Sequence, residues 1–220
     1  MSLAVLCSGG LDSAILLGDA LLQGTMVHPL YIRCGLFWES VELAYLRRFL
    51  SAVERPALRP LVVLDQPVRD LYGDHWSITG RGVPTANDPD ERAFLPGRNV
   101  LLLAKALLWC HLNQVPAVAL GTLPTNPFPD ATPSFFRAMG SCVDGAVGGQ
   151  VEVLLPFFGR TKTAVMHLGR VLPLEHTFSC LQPNGDSHCG RCNKCGERRE
   201  AFRAAGLHDP TFYAASDRKC

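Results

Sequence analysis

Five short apolar runs, at residues 3–7, 26–32, 61–64, 117–120 and 151–155, alternate with longer segments at residues 13–22, 40–53, 99–113, 133–143 and 161–172. The runs are rich in Val, Leu and Ile without polar alternation, which suits strands buried on both faces. Several of the longer segments carry apolar side chains at three- and four-residue spacing, the signature of a helix with one apolar face. Strand followed by helix, repeated along the chain, predicts an α/β fold: a five-stranded parallel sheet covered on both sides and joined by right-handed crossovers. With 220 residues, 47% of them hydrophobic, the chain can bury one substantial core and carry a small appended lobe.

Three stretches break the alternation. Residues 73–97 are rich in Gly, Pro and Asp and too long for an ordinary connection, and residues 124–133 hold Pro124, Pro127, Pro129 and Pro133. In an open α/β sheet ligands bind beyond the carboxyl ends of the strands, so both loops are expected near the site. The third stretch is the Cys-rich tail from Cys180 onward.

A formal net charge of +1 and the lack of a basic run give no general pull toward nucleic acid or anionic lipid, which favours a small-molecule substrate. The start MSLAVLCSGG has no basic region and too short an apolar run for a signal peptide, and no stretch is long enough to span a bilayer. A cytoplasmic protein is expected. In that reducing setting the nine cysteines point to metal binding more than to disulfides.

The string SGGLDS, Ser8 to Ser13, follows the first expected strand and enters the first expected helix. Glycines there let the backbone turn sharply and bring N–H groups close to a ligand, and the helix start adds about half a positive charge, so phosphate is the natural guest. There is no Walker-type Lys and no three-glycine dinucleotide spacing. The plainer alternative is a strand-to-helix turn in which Asp12 or Ser13 only caps the helix.

In the tail, CLQPNGDSHCGRCNKC places Cys180 ahead of Cys189, Cys192 and Cys195, with two residues between successive members of the last three. Four thiolates satisfy tetrahedral Zn²⁺ and leave no open position, so the expected role is structural. His176 and His188 are possible substitutes for one thiol. An iron–sulfur cluster and a redox Cys-x-x-Cys pair are the competing readings.

Ser8, Gly9, Gly10, Asp12 and Ser13 together resemble the pyrophosphate loop of the adenine-nucleotide α-hydrolase-like ATPases, which implies a Rossmann-like sheet and cleavage of ATP between its α- and β-phosphates. Combined with Cys180 and the CxxCxxC run, the loop resembles more narrowly that of the 7-cyano-7-deazaguanine synthases, ligases that turn 7-carboxy-7-deazaguanine, ammonia and ATP into the nitrile precursor of queuosine. FLPGRN at residues 94–99, FPD at 128–130 and LLPFFGRTKTAV at 154–165 extend the likeness along most of the chain. The resemblance implies a nucleotide-binding domain over residues 1–175, a zinc lobe over residues 176–220 packed on it, Mg²⁺ with the ATP, and a homodimer.

It also implies site roles. Asp12, Arg98 and Lys162 would be catalytic, Arg98 as a planar fork for phosphate or carboxylate and Lys162 as a phosphate contact at a helix start. Cys7, Ser8, Gly9, Gly10, Leu11, Asp12, Ser13, Gly97, Asn99 and Gly121 would bind nucleotide, with Asn99 capping the helix that follows it. Phe128 and Asp130 would bind the acceptor, Asp130 by accepting from the N–H groups of its base. Two departures fall where acceptor should sit: CGLFWES stands in place of the family's Gly-Gln-x-His, and Ala131–Thr132 in place of its Cys-Arg. They leave open a relative that activates a different carboxylate or conjugates a deazaguanine. A sulfur transferase of the same superfamily is the remaining enzymatic alternative, and it would need a reactive thiol, for which Cys34, Cys110 and Cys142 are the candidates, Cys110 reading as core.

Overall fold

The computed structural model describes residues 2–214, so Met1 and residues 215–220, including Cys220 and the end of the expected lobe, lie outside the described residues. The chain runs β1 (Ser2–Leu6), α1 (Leu11–Leu22), β2 (Met26–Arg33), α2 (Glu39–Ala52), β3 (Val62–Asp65), two one-turn helices α3 (Arg69–Tyr72) and α4 (Trp76–Thr79), α5 (Arg98–Leu112), β4 (Ala117–Ala119), α6 (Pro133–Val147), β5 (Glu152–Leu154), α7 (Lys162–Leu168) and α8 (Asn193–Ala204). All strand pairs are parallel, in the order β3-β2-β1-β4-β5. The order reverses between β1 and β4, which is where such a sheet opens a crevice at its carboxyl end.

Consecutive strand residues go to opposite cores, as strands covered on both faces require. Ala4, Leu30 and Val118 pack with Leu103 and Leu107 of α5 and Phe136 of α6. Their neighbours Val5, Tyr31 and Ala119 pack with Ile15 and Leu17 of α1, Phe49 of α2 and Val165 of α7. Pro29 in the inner strand β2 is tolerated by register. Odd-numbered residues of β2 bond toward the β3 side, as Arg33 does in accepting from the Gln66 N–H, but the β2–β3 ladder begins only at Leu30–Val62. The N–H that proline lacks was therefore not required.

Differences from the expected boundaries have local causes. α1 begins at Leu11, not 13, because Gly10 already occupies the N-cap position. The helix expected over 161–172 stops at Leu168 and tightens into a 3₁₀ turn, Gly169–Val171, where a Cβ on Gly169 would meet Ile15 Cγ1 at 2.5 Å. α8, inside the Cys-rich tail, has no counterpart among the expected helices. Cys195, Arg198, Ala201, Phe202 and Ala205 are buried along it, a helical spacing that the charged residues between them and Arg198 itself obscure.

Leu103 is fully buried. Leu103→Ala should lower unfolding free energy by about 2–5 kcal/mol in a urea titration.

Candidate functional site

The turn after β1 is shaped by backbone crowding. Gly9 has φ +70° and faces α2 so closely that a Cβ there would lie 2.9 Å from Glu42 Cγ and 3.1 Å from Glu42 O. Its carbonyl accepts from the Phe178 N–H at 2.7 Å, which straps the tail onto the turn. Ser13 Oγ accepts from the Ser8 N–H at 3.1 Å, and the two hydroxyls are 3.2 Å apart. No side chain caps α1: Asp12 and Ser13 sit inside its first turn, so the capping alternative does not hold, and the helix's first N–H groups face outward at its positive end. Asp12 instead reaches across to α7, where its Oδ1 meets Lys162 Nζ at 2.5 Å. Gly121, just past β4, closes the crevice from the other side, since a Cβ there would be 2.9 Å from the Asp12 carbonyl carbon.

These residues wall a cleft of about 470 Å³. Cys7, Ser8, Asp12 and Ser13 line it, together with Gly121, Arg98, Asn99, Phe128 and Lys162. Of the other expected nucleotide-binding residues, Gly9, Gly10, Leu11 and Gly97 are not part of the wall. Leu11 is core, and Gly97, with φ +73°, is the left-handed N-cap of α5. Asn99 is not the cap of α5: it lies within the first turn, and its side chain donates to the Asp130 carbonyl at 2.9 Å. The cap comes from Asp130, whose Oδ2 accepts the Asn99 N–H at 3.2 Å. Asp130 belongs to a smaller adjoining cavity and not to the main cleft.

The cleft also contains residues that sequence reasoning missed. Glu42 of α2 is 8% exposed and accepts from the Tyr31 hydroxyl at 2.8 Å. Burial pushes its carboxyl up to about 7, against the opposing pull of the Arg98 guanidinium. A glutamate inside an amphipathic helix carries no sequence signal for this, because burial follows only once α2 packs on the glycine turn. From α8 come Lys194, Glu197 and Glu200.

Cys180, Cys189, Cys192 and Cys195 converge with all four sulfurs within 4.8 Å of one another. The Cys189–Cys195 and Cys180–Cys192 pairs are each 3.9 Å apart, close to the ~3.8 Å expected for sulfurs arranged tetrahedrally at ~2.3 Å around one ion. A multi-iron cluster would hold its ligands further apart. Backbone N–H groups of Leu181, Gln182, Cys189, Arg191 and Cys192 donate to these sulfurs, as thiolates require. The donor set thus fits a single tetrahedral ion such as zinc. Neither histidine substitutes for a thiol among the described residues: His188 Nε2 accepts from the Ser179 N–H, and burial depresses this imidazole to about 3.

The knuckle is fastened to the long loop of residues 73–97. Ala86 N–H donates to Arg191 O, Asn193 N–H to Pro84 O, and Asn193 Nδ2 to Asp90 Oδ1 at 2.9 Å. Arg198, 2% exposed, ties α8 to the tail through Thr177 Oγ1, Leu174 O and Thr211 Oγ1.

The profile of the family described as "Queuosine biosynthesis protein QueC" matches residues 2–206. The chain belongs to this family. Among its relatives, a 7-cyano-7-deazaguanine synthase of Methanosphaerula palustris is 33% identical over 227 residues, covering 97% of this chain and 99% of that protein. One from Thiobacillus denitrificans is 33% identical, with 96% and 97% covered. A solved 4-thiouridine synthetase in complex with RNA and bound ATP is 14% identical, with a TM-score of 0.49 over 93% of this chain and 50% of that one. In this member of the QueC family the matched span takes in the glycine turn, the cleft and the cysteine knuckle.

Two measurements test the site. Removing the ion by chelation should make residues 73–97 cleavable by protease, and Cys189→Ser should reproduce that pattern with loss of bound metal. For Glu42, ordinary ionisation at 4.5 in the unfolded chain against about 7 in the folded one means that the folded state holds more protons between those values. Stability therefore falls as pH rises through that window. Glu42→Gln should gain about 2–3 kcal/mol on the wild type between about pH 5 and pH 8 in urea denaturation.

Proposed function

We propose that this chain is an ATP-dependent carbon–nitrogen ligase that activates 7-carboxy-7-deazaguanine and uses ammonia to form 7-cyano-7-deazaguanine through an amide. The observation carrying the reading is the uncapped SGGLDS turn at the sheet's switch point, with Lys162 across from Asp12 in the same cleft. The near full-length family match supports it.

The first-turn N–H groups of α1 and the Lys162 ammonium hold the β- and γ-phosphates, and Asp12 positions Lys162. Arg98 faces the developing charge near the α-phosphorus. A carboxylate oxygen of the acid attacks that phosphorus and pyrophosphate leaves. Ammonia then adds to the acyl carbon, AMP departs and a proton is lost, giving the amide. The amide oxygen then attacks the α-phosphorus of a second ATP, pyrophosphate leaves, and loss of AMP, carrying that oxygen, with the two N–H protons leaves the nitrile. The protein's contribution is positioning and fixed charge. Mg²⁺ bound with ATP supplies further neutralisation, and the free carboxylate oxygen of Asp12 with the Ser8 and Ser13 hydroxyls are the loop oxygens able to hold it. Zinc in the four-cysteine knuckle is structural.

Among the described residues the sulfur-transferase alternative finds no suitable thiol. Cys7 borders the cleft, but burial pushes it up to about 12. Cys34 is buried and likewise raised, Cys110 is core at about 12, and exposed Cys142 is not in the cleft wall. No helix among the described residues is long and apolar enough to cross a membrane. A homodimer and a cytoplasmic setting complete the proposal from the family likeness.

Purified protein given Mg-ATP, ammonium and the acid should release AMP and pyrophosphate and yield amide and nitrile by mass spectrometry. AMP formation from some other acid alone would reassign the substrate. Asp12→Ala and Lys162→Met should each cut AMP formation by about a hundredfold or more while leaving metal content unchanged.

A further inference from the structure

Beside the main cleft lies a second cavity of about 150 Å³ with aromatic walls. Trp38 and Trp76 stack there with ring centroids 5.8 Å apart and planes at 19°, and Phe94 and Phe128 meet at 5.0 Å. Asp130 lines this cavity at 8% exposure, and only one of its carboxylate oxygens is used: Oδ2 caps α5, while Oδ1 is buried without a partner. A buried carboxylate oxygen left without a partner calls for a donor supplied from outside.

Arg98, Asn99, Asn126, Phe128 and Lys194 line both cavities and so form the boundary between them. Arg98 Nε is also buried without a partner. Lys194 arrives there because it lies between knuckle residues Cys192 and Cys195, and its Nζ contacts Glu197 Oε1 at 2.5 Å. The small cavity therefore combines flat apolar walls, the Asp130 carboxylate, which does not line the main cleft, and two cations at its boundary with that cleft.

We infer that this cavity is the acceptor-ring subsite and that Lys194, delivered by the metal knuckle, is a specificity residue for the acid. A bicyclic heteroaromatic ring lies among the aromatic walls, its ring and exocyclic N–H groups donate to Asp130 Oδ1, and its carboxylate reaches the Arg98–Lys194 boundary next to the α-phosphate. Charge complementarity runs along the ligand, with N–H donors toward the anion and acid toward the cations. The inference rests on the ligase reading and adds to it the group that recognises each end of the acceptor.

The test is steady-state kinetics on metal-loaded, full-length protein, varying ATP and 7-carboxy-7-deazaguanine separately, with an analogue lacking the exocyclic amine as second acceptor. Lys194→Met and Asp130→Asn should each raise the acceptor KM about tenfold or more and leave the ATP KM within about twofold. Asp130→Asn should also erase the preference for the amine-bearing acceptor, which a merely structural defect would not do. Metal content and thermal midpoint report folding. If Asp130→Asn loses its helix cap and unfolds, Trp76→Leu, which removes part of the ring platform, takes its place with the same expected KM split. Unchanged acceptor KM in folded variants, or losses that fall on ATP alone, would overturn the subsite. If wild type makes no AMP with this acid, the ligase reading fails separately. Calorimetric titration of the acid into wild type and Lys194→Met then decides the subsite, with equal binding or none by wild type overturning it.

Discussion

The contact between Gly121 and the first turn of α1 is a meeting of two backbones with no side chain between them. It can form only because β4 lies next to β1, where the strand order reverses, and because position 121 has no Cβ to strike the Asp12 carbonyl. With Gly9 crowded in the same way by Glu42, the turn is held from two sides and its N–H groups keep a fixed direction without a capping side chain. A set of backbone dipoles preorganised in this way does not have to rearrange when negative charge arrives. The location of the cleft, the reach of Lys162 and the strap at Phe178 all follow from that geometry.

Much of the fold was legible in the sequence because its signals are local. Buried parallel strands read as unbroken apolar runs, and all five fell within two residues of their observed bounds. The glycine turn and the four cysteines were legible for the same reason, each being a short string with its own chemistry. What stayed hidden depends on contacts between distant segments. Asn99 looked like a cap because it stands at a helix start, but the Asp130 carboxylate, 31 residues on, fills that role. α8 was masked by its charge: Arg198 occupies a position where an apolar residue would have revealed the stripe, and its hydrogen bonds make that burial tolerable. Glu42 and Lys194 gain meaning only when their helices dock.

The cysteine knuckle is therefore more than a clasp at the end of the chain. Its backbone and the Asn193 side chain hold residues 84–90 of the long loop, and Lys194, between its last two cysteines, lines both cavities. The four candidate metal ligands and a residue lining both cavities share one short segment, so an ion held by the cysteines would fix the position of Lys194 as well. The CGLFWES stretch contributes Trp38 to the wall of the same small cavity, and Ala131–Thr132 follow directly on Asp130, which also lines it.

Residue order adds a consequence for biosynthesis. The glycine turn emerges from the ribosome near residue 8, but the residues that complete the cleft and its annex, Lys194 among them, follow only after most of the chain has been translated. A nascent chain can thus carry its glycine bend early and still lack the wall that faces it across the cleft.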